Sequence, residues 1–209
     1  MENQANQKLF STQNLVKTAL LSAVALILFQ FKFKLPIFPS FLSIDVSDMA
    51  CIVGMITICP AAGFVIAILK NLLDALIFGS TTGYVGEFSN MIISSAYILP
   101  LAICLKHRRD LKSICIAAGL GVISMAIVGA FTNYFIMVPL YARVFGMEVS
   151  QIVGMGTAIY SGITDLFTLI IFSIIPFNLF KGTIVATVSI TFLKSVYPAL
   201  KLLRTKSLG

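Results

Sequence analysis

The chain has 209 residues, of which 58% are hydrophobic and only 11% charged, with 15 Lys and Arg against 8 Asp and Glu. Soluble domains carry roughly a quarter charged residues, so this composition, with a mean hydropathy of +1.00, excludes a soluble globular domain and describes an integral membrane protein. The net charge of +7 suits loops beside anionic lipid and gives no reason to invoke nucleic acid.

The first residues, MENQANQKLFSTQ, are polar, and the apolar run behind them is too long for the h-region of a cleavable signal. The first helix is therefore expected to be retained, at about 13–31, with Ser11 or Thr12 capping it and apolar positions from Leu15. Within it Ala19 and Ala23 make a small-xxx-small pair that permits close approach of another helix, although chance placement of alanine explains the pair equally well. Further helices are expected at about 46–59, 62–78, 85–105, 113–140 and 181–203, with Pro60 suited to the first turn of the third. The stretch from Ile163 to Ile175 is short, contains Asp165 and ends at Pro176, and reads as a re-entrant or interfacial segment rather than a span.

Basic residues set the count. Lys8 and Lys17, then Lys106, Arg108, Arg109 and Lys112, then Lys194, Lys201, Arg204 and Lys206 form three clusters, and such clusters stay on the cytoplasmic side. The expected fold class is therefore an all-α membrane protein: one domain over 1–209, a six-transmembrane-helix bundle with a re-entrant or interfacial segment before the last helix, and both termini cytoplasmic. The connections 32–45, 79–84 and 141–180 then face outward.

Polar groups within the spans are few, and each needs a reason. Lys70 and Asp74 stand four residues apart on one helix face, as a structural ion pair or as functional charges, and Asn71 extends that polar stripe. In GSTTGYVGEFSN, residues 79–90, the glycines let backbone approach a ligand and Thr82 offers a donor and an acceptor. Glu87, Asn90, Ser94 and Tyr97 project within about 80° of one another around the fourth helix, so this face should turn inward, towards an outer cavity or to hydrogen-bond other helices. Asn133 lies deep in the fifth helix, Tyr141 at its outer end, and Lys181 needs an oxygen partner, for which Glu87 is the candidate.

No nucleotide-binding lysine loop, HExxH or GxSxG motif is present, so the chain encodes neither ATP hydrolysis nor hydrolytic catalysis and is not expected to be an enzyme. Cys51, Cys59, Cys104 and Cys115 form no CxxC and are expected to be buried thiols, and the single His107 has no partner histidine, so neither a metal nor a cofactor is expected.

Four stretches, LSIDVSDMACIVG (42–54), LKNLLDALIFGSTTGYVGEFSN (69–90), TNYFIMVPLY (132–141) and PFNLFKGT (176–183), resemble the substrate-binding S components of bacterial energy-coupling factor transporters, specifically the riboflavin-binding members. They occur in the family's order. The resemblance implies a six-helix vitamin-binding subunit of the bacterial cell membrane, with riboflavin as transported substrate, served by a transmembrane coupling subunit and two ATPases. It assigns ligand binding to Glu87, Asn90, Asn133 and Lys181, with Leu42, Phe41 and Ile44 covering the flavin ring, and contact with the coupling subunit to Ala19 and Ala23. Thr82 and Tyr141 complete the candidate ligand set. Whether a phosphorylated flavin (FMN) also binds is open, with Lys181 and Arg143 as the cations for it. The alternatives are an autonomous proton-coupled carrier working through Asp74 and Glu87, and an S component for a different vitamin.

Overall fold

The structure is a computed structural model that describes residues 9, 11–105 and 111–206, with the backbone alone at 111 and 196–206. Lys8, Lys106, His107, Arg108 and Arg109 lie outside the described residues, as do the side chains of Lys201, Arg204 and Lys206. Among the described residues the regular secondary structure is helical, with one isolated antiparallel bridge between Phe33 and Ile44.

Helix α1 (Thr12–Gln30) is capped by Ser11, whose hydroxyl accepts from the Asn14 N–H. Helix α2 is Asp48–Thr57, and α3 is Pro60–Ile77, with Pro60 in the first turn, where its missing N–H costs nothing. Helix α4 is Val85–Cys104. Helix α5 runs through Leu111–Thr132, a π-turn at Asn133–Met137, and Val138–Phe145. A short helix α6 (Val149–Thr157) follows, and α7 runs through Leu166–Leu169, a π-turn at Ile170–Ile174, and Ile175–Lys206. Among the described residues, five stretches are long and apolar enough to cross a membrane: Thr12–Gln30, Pro60–Ile77, Val85–Cys104, Lys112–Phe145 and Leu166–Ser195. Helix α2 is apolar but has only 10 residues, about 15 Å of helix and half the hydrocarbon thickness.

The helices close into a ring: α1 packs on α3, α3 on α4, α4 on α5, α5 on α7, and α2 fills the remaining side against α1, α3 and α7. The main core joins Cys51, Ile52 and Met55 of α2 to Ile66, Tyr97, Leu101, Met125 and Val185. Leu20, Ile27, Leu76, Ile103, Ile127 and Phe135 are exposed around the outside, as a lipid-facing surface requires.

The last helix departs from expectation. No break separates an interfacial segment from a helix starting at 181; α7 is continuous from Leu166. Asp165 is its N-cap rather than a charge inside it: the carboxylate accepts from Thr168 N–H at 2.7 Å, and Asp165 N–H donates to the Thr168 hydroxyl at 2.9 Å. These bonds, to the Thr168 backbone first and its hydroxyl second, hold the exposed carboxyl below its ordinary range, and the helix dipole favours the same charge. Pro176 does not end the helix, because the carbonyl four residues before it, on Phe172, lies in the π-turn, whose wider path relieves the clash with the ring. Pro139 in α5 repeats the device, with Phe135 in its π-turn.

The expectation of four buried thiols holds for Cys51 and Cys59 only. Cys104 is half-buried and Cys115 exposed, and all four are free. Both lie on apolar helices facing outward, where lipid tolerates a thiol.

The α4–α5 contact shows how a proline survives mid-span. Pro100 gives no N–H to the Ala96 carbonyl, and Ser124 of α5 replaces it, donating at 2.8 Å. The approach is close because Gly121 faces α4: a Cβ there would stand 2.9 Å from the Tyr97 carbonyl oxygen. Ser124→Ala is expected to destabilise the protein by about 1–3 kcal/mol, the cost of a buried unsatisfied carbonyl. In a Pro100→Ala background, where a backbone N–H is restored, that loss should vanish; unfolding in detergent across the double-mutant cycle measures both.

Candidate functional site

Residues 31–47 leave α1 and return to α2 as a loop pinned by the Phe33–Ile44 bridge, whose two hydrogen bonds are 3.0 and 2.8 Å. Phe38 stands edge-on to Phe177 of α7 at 5.2 Å, and Phe41 lies 5.9 Å from Tyr141 of α5. The loop therefore roofs the end of the bundle.

Beside it, the 78–84 turn needs its glycines. Gly79 and Gly83 have φ of 72° and 57°, and Tyr84, the residue before α4, follows at 67°, a region costly for any residue with a Cβ. Ser80 ties the turn by accepting from Thr82 N–H (3.1 Å) and Tyr84 N–H (2.8 Å). The hydroxyls of Ser80 and Thr82 then donate to one oxygen of Glu87, at 2.8 and 3.0 Å. The turn is a hydroxyl cradle for a buried carboxylate.

Under the roof lie four charges in one network. Lys70 of α3 donates to Asp48 (2.5 Å) and to Ser47 (2.6 Å), with Asp45 3.9 Å away. Lys181 of α7 donates to Asp45 and to Asn90, each at 2.8 Å. Asp48 also accepts from Ser94 at 2.6 Å, and Asn90 donates to Asn71 at 3.0 Å. All four charged groups are buried, and their sum is zero. Burial would raise the Asp45 carboxyl, but Lys181 first and Lys70 second hold it below the usual carboxylate range. Its negative charge is thereby kept at physiological pH.

Two pairings expected from sequence are corrected. Lys70 does not meet Asp74; it reaches Asp48 on α2, while Asp74 takes Gln30 (2.6 Å) and Lys32 (3.4 Å) from the end of α1 and the loop. Four-residue spacing allows a pair on one helix, but buried charges took partners on other elements. Likewise Glu87 is not the partner of Lys181. Asp45 is, because the roof loop descends between α2 and α7 and brings a carboxylate closer.

The expected inward face of α4 is inward: Glu87, Ser94 and Tyr97 are buried, and Asn90 is half-buried. Glu87, Asn90, Asn133, Lys181, Thr82, Tyr141 and Leu42 all line one cavity that is open at its mouth. Phe41 joins them. Ile44 does not; it is fully buried in the bridge to Phe33. Arg143 is exposed and absent from the lining, and the cations there are Lys32, Lys34 and Lys181.

The sequence reading missed Phe29, Ile93, Phe177 and Asn178, which also line the cavity. Asn133 and Asn178 each donate to the carbonyl four residues earlier at 2.8 Å, which leaves their amide oxygens as acceptors. A signal for this pair was available: each asparagine lies within five residues of an Ile-Pro or Val-Pro step in an apolar helix. No cluster of three or more metal-ligating side chains occurs among the described residues.

Fold and site together define a multi-pass membrane protein with a cavity, apolar on some walls and polar on others, roofed at one end of its bundle. The family model for the ECF transporter substrate-specific component matches residues 13–193, and the chain belongs to that family. It is similar to the riboflavin transporter RibU of Staphylococcus aureus (strain TCH60), with 32% identity over 198 residues, 93% of this chain and 97% of that protein. It is also similar to the riboflavin transporter FmnP of Bacillus subtilis (strain 168), with 30% identity over 184 residues, 87% of this chain and 91% of that protein. A solved structure of the S component of a bacterial ECF transporter superposes with a TM-score of 0.70 at 30% identity, covering 96% of this chain and 99% of that one. The family is one of transporters rather than enzymes.

Removing one member of a buried ion pair leaves the other charge stranded, at a cost of about 3–5 kcal/mol, whereas partly exposed pairs are worth about 1 kcal/mol or less. Lys70→Met should therefore destabilise the protein severely, and Lys32→Met less, because Lys32 is 36% exposed and Gln30 still donates to the Asp74 carboxylate it leaves. Thermal unfolding of the two variants in the same detergent checks the order.

Proposed function

We propose that this chain is the high-affinity riboflavin-binding subunit of an ATP-driven energy-coupling factor importer, capturing the vitamin from outside and delivering it with a separate energising module. The observation that carries the reading is convergence: seven residues chosen from sequence, on five separate elements, line one cavity. Two relatives at 30–32% identity over most of the chain are riboflavin transporters.

Riboflavin is a flat apolar ring system with polar edges and a hydroxylated ribityl chain, and it needs an apolar slot with a few placed hydrogen-bond groups. Leu42, Phe41, Ile93 and Phe177 offer the slot. Glu87, Thr82, Asn90, Asn133, Tyr141 and Lys181 offer donors and acceptors. FMN is a second candidate ligand, because Lys32 and Lys34 line the same cavity and suit a phosphate.

The energising partners in this reading are a transmembrane coupling subunit and two ATPases, since the chain carries no nucleotide-binding loop of its own. Ala19 and Ala23 are assigned to the docking face. They are exposed on α1, whose Thr18, Ser22, Ala25 and Phe29 turn into the bundle. We further assign α2 as a sixth, short crossing, and place both termini on the cytoplasmic side of a bacterial cell membrane.

Detergent-purified protein titrated with riboflavin should quench flavin fluorescence saturably at one to one. Glu87→Gln and Asn133→Ala should each weaken binding about tenfold or more, the worth of roughly 1.4 kcal/mol, while leaving the fold intact. Absence of quenching by the folded parent protein removes riboflavin, and unchanged affinity in folded variants removes the residue assignment.

Ala19→Leu combined with Ala23→Leu should abolish uptake in cells that contain the whole importer, because added bulk blocks helix approach, yet preserve riboflavin quenching. Retained uptake would show that another face docks.

A further inference from the structure

The buried charges belong to a hydrogen-bonded circuit that leaves α3 at Lys70 and returns to it at Asn71. Lys70 donates to the Ser47 hydroxyl at 2.6 Å, and Ser47 donates to Asp45 through both its hydroxyl and its N–H, the latter at 3.1 Å. Asp45 accepts from Lys181 with its other oxygen, Lys181 donates onward to Asn90, and Asn90 donates to Asn71. Asp45 is 2% exposed and Lys181 4%.

Two consequences follow for Lys181. Its ammonium has three donors, and Asp45 and Asn90 occupy two, so one remains for the cavity that the side chain lines. A lysine stem is long and flexible, and its charge is a point without preferred direction. Asp45 therefore decides where that remaining donor sits.

Asp45 has a second role by position. It stands at the foot of the roof loop, where residues Ser40, Phe41, Leu42 and Ser43 cover the cavity. The roof's other ties to α5 and α7 are apolar, among them the ring contacts of Phe38 and Phe41. Among the described residues, Asp45–Lys181 is its one ion pair with α7.

We propose that Asp45 is a positioning residue for capture, one that aims Lys181 at the bound ligand and, through the same bond, clasps the roof onto α7. Ligand release then requires this ion pair to break. The inference rests on the reading of the cavity as a flavin site, but the clasp has a readout of its own in the ligand-free protein.

The test compares Asp45→Asn with Asp48→Asn. Both remove one negative charge from the same buried set, but only Asp45 touches Lys181. In Asp45→Asn, amide exchange over residues 31–47 of the ligand-free protein should accelerate about tenfold or more, and riboflavin dissociation should speed up by a similar factor with association changed less than about threefold. Asp48→Asn should leave both readouts near those of the parent protein even where it lowers thermal stability, and Asp45→Glu should recover part of each loss.

Unchanged exchange in folded Asp45→Asn, or equal effects from Asp48→Asn, overturns the proposal and leaves a charge-balance role. A parent protein that fails to bind riboflavin defeats the flavin reading, while the exchange comparison still decides the clasp. Lys181→Met, which breaks the same bond from the other side, supplies that comparison if Asp45→Asn is not recovered folded.

Discussion

Two carboxylates and two ammonium groups buried in an apolar bundle must neutralise one another, and the rest of this structure is arranged around that requirement. Unpaired, any one of Asp45, Asp48, Lys70 and Lys181 would carry a large desolvation penalty. Together they fix how α2, α3, α7 and the roof loop meet. Helix α2 begins at the level of this network instead of at the end of the bundle, since Asp48 is its first residue. The chain leaving α1 must therefore descend as a loop to reach it. A short α2 and a roofed cavity are two sides of one constraint.

The π-turns supply the second organising element. Proline within an apolar helix removes a donor and crowds the carbonyl one turn earlier, and both α5 and α7 absorb this by widening a turn just before the proline. The two widened turns pack against each other. Asn133, which opens the α5 π-turn, and Phe177 and Asn178, which follow the α7 π-turn, reach the cavity wall. Irregular helix here coincides with the lining of a binding site, a recurrent association of π-turns.

Within the proposed function, the molecule divides its labour by face. The roofed end holds the cavity with its placed polar groups, and the outward surface of α1 is small and apolar at Ala19 and Ala23. In this reading capture and docking use separate surfaces, so the energy for transport enters through a helix that contributes only Phe29 to the cavity lining.

The candidate ligand residues came from resemblance to a family, without Phe29, Ile93, Phe177 and Asn178 of the cavity wall. Sequence by itself determined the membrane class, the rough extent of most helices, a cap at Ser11 or Thr12 and the inward polar face of α4. Those follow from composition, run length and a 3.6-residue period, all local in the chain. Only the tertiary structure decided that α7 is continuous and that Asp165 caps it, since a charge and a proline in a short apolar run read as interruption until the cap and the widened turn are seen. It also decided the pairing of charges. Spacing along one helix put Lys70 with Asp74 and membrane depth put Lys181 with Glu87, yet Asp48 and Asp45 took those places. A buried charge accepts whichever opposite charge packing brings nearest, and nearness across helices is not written in the spacing of any one of them.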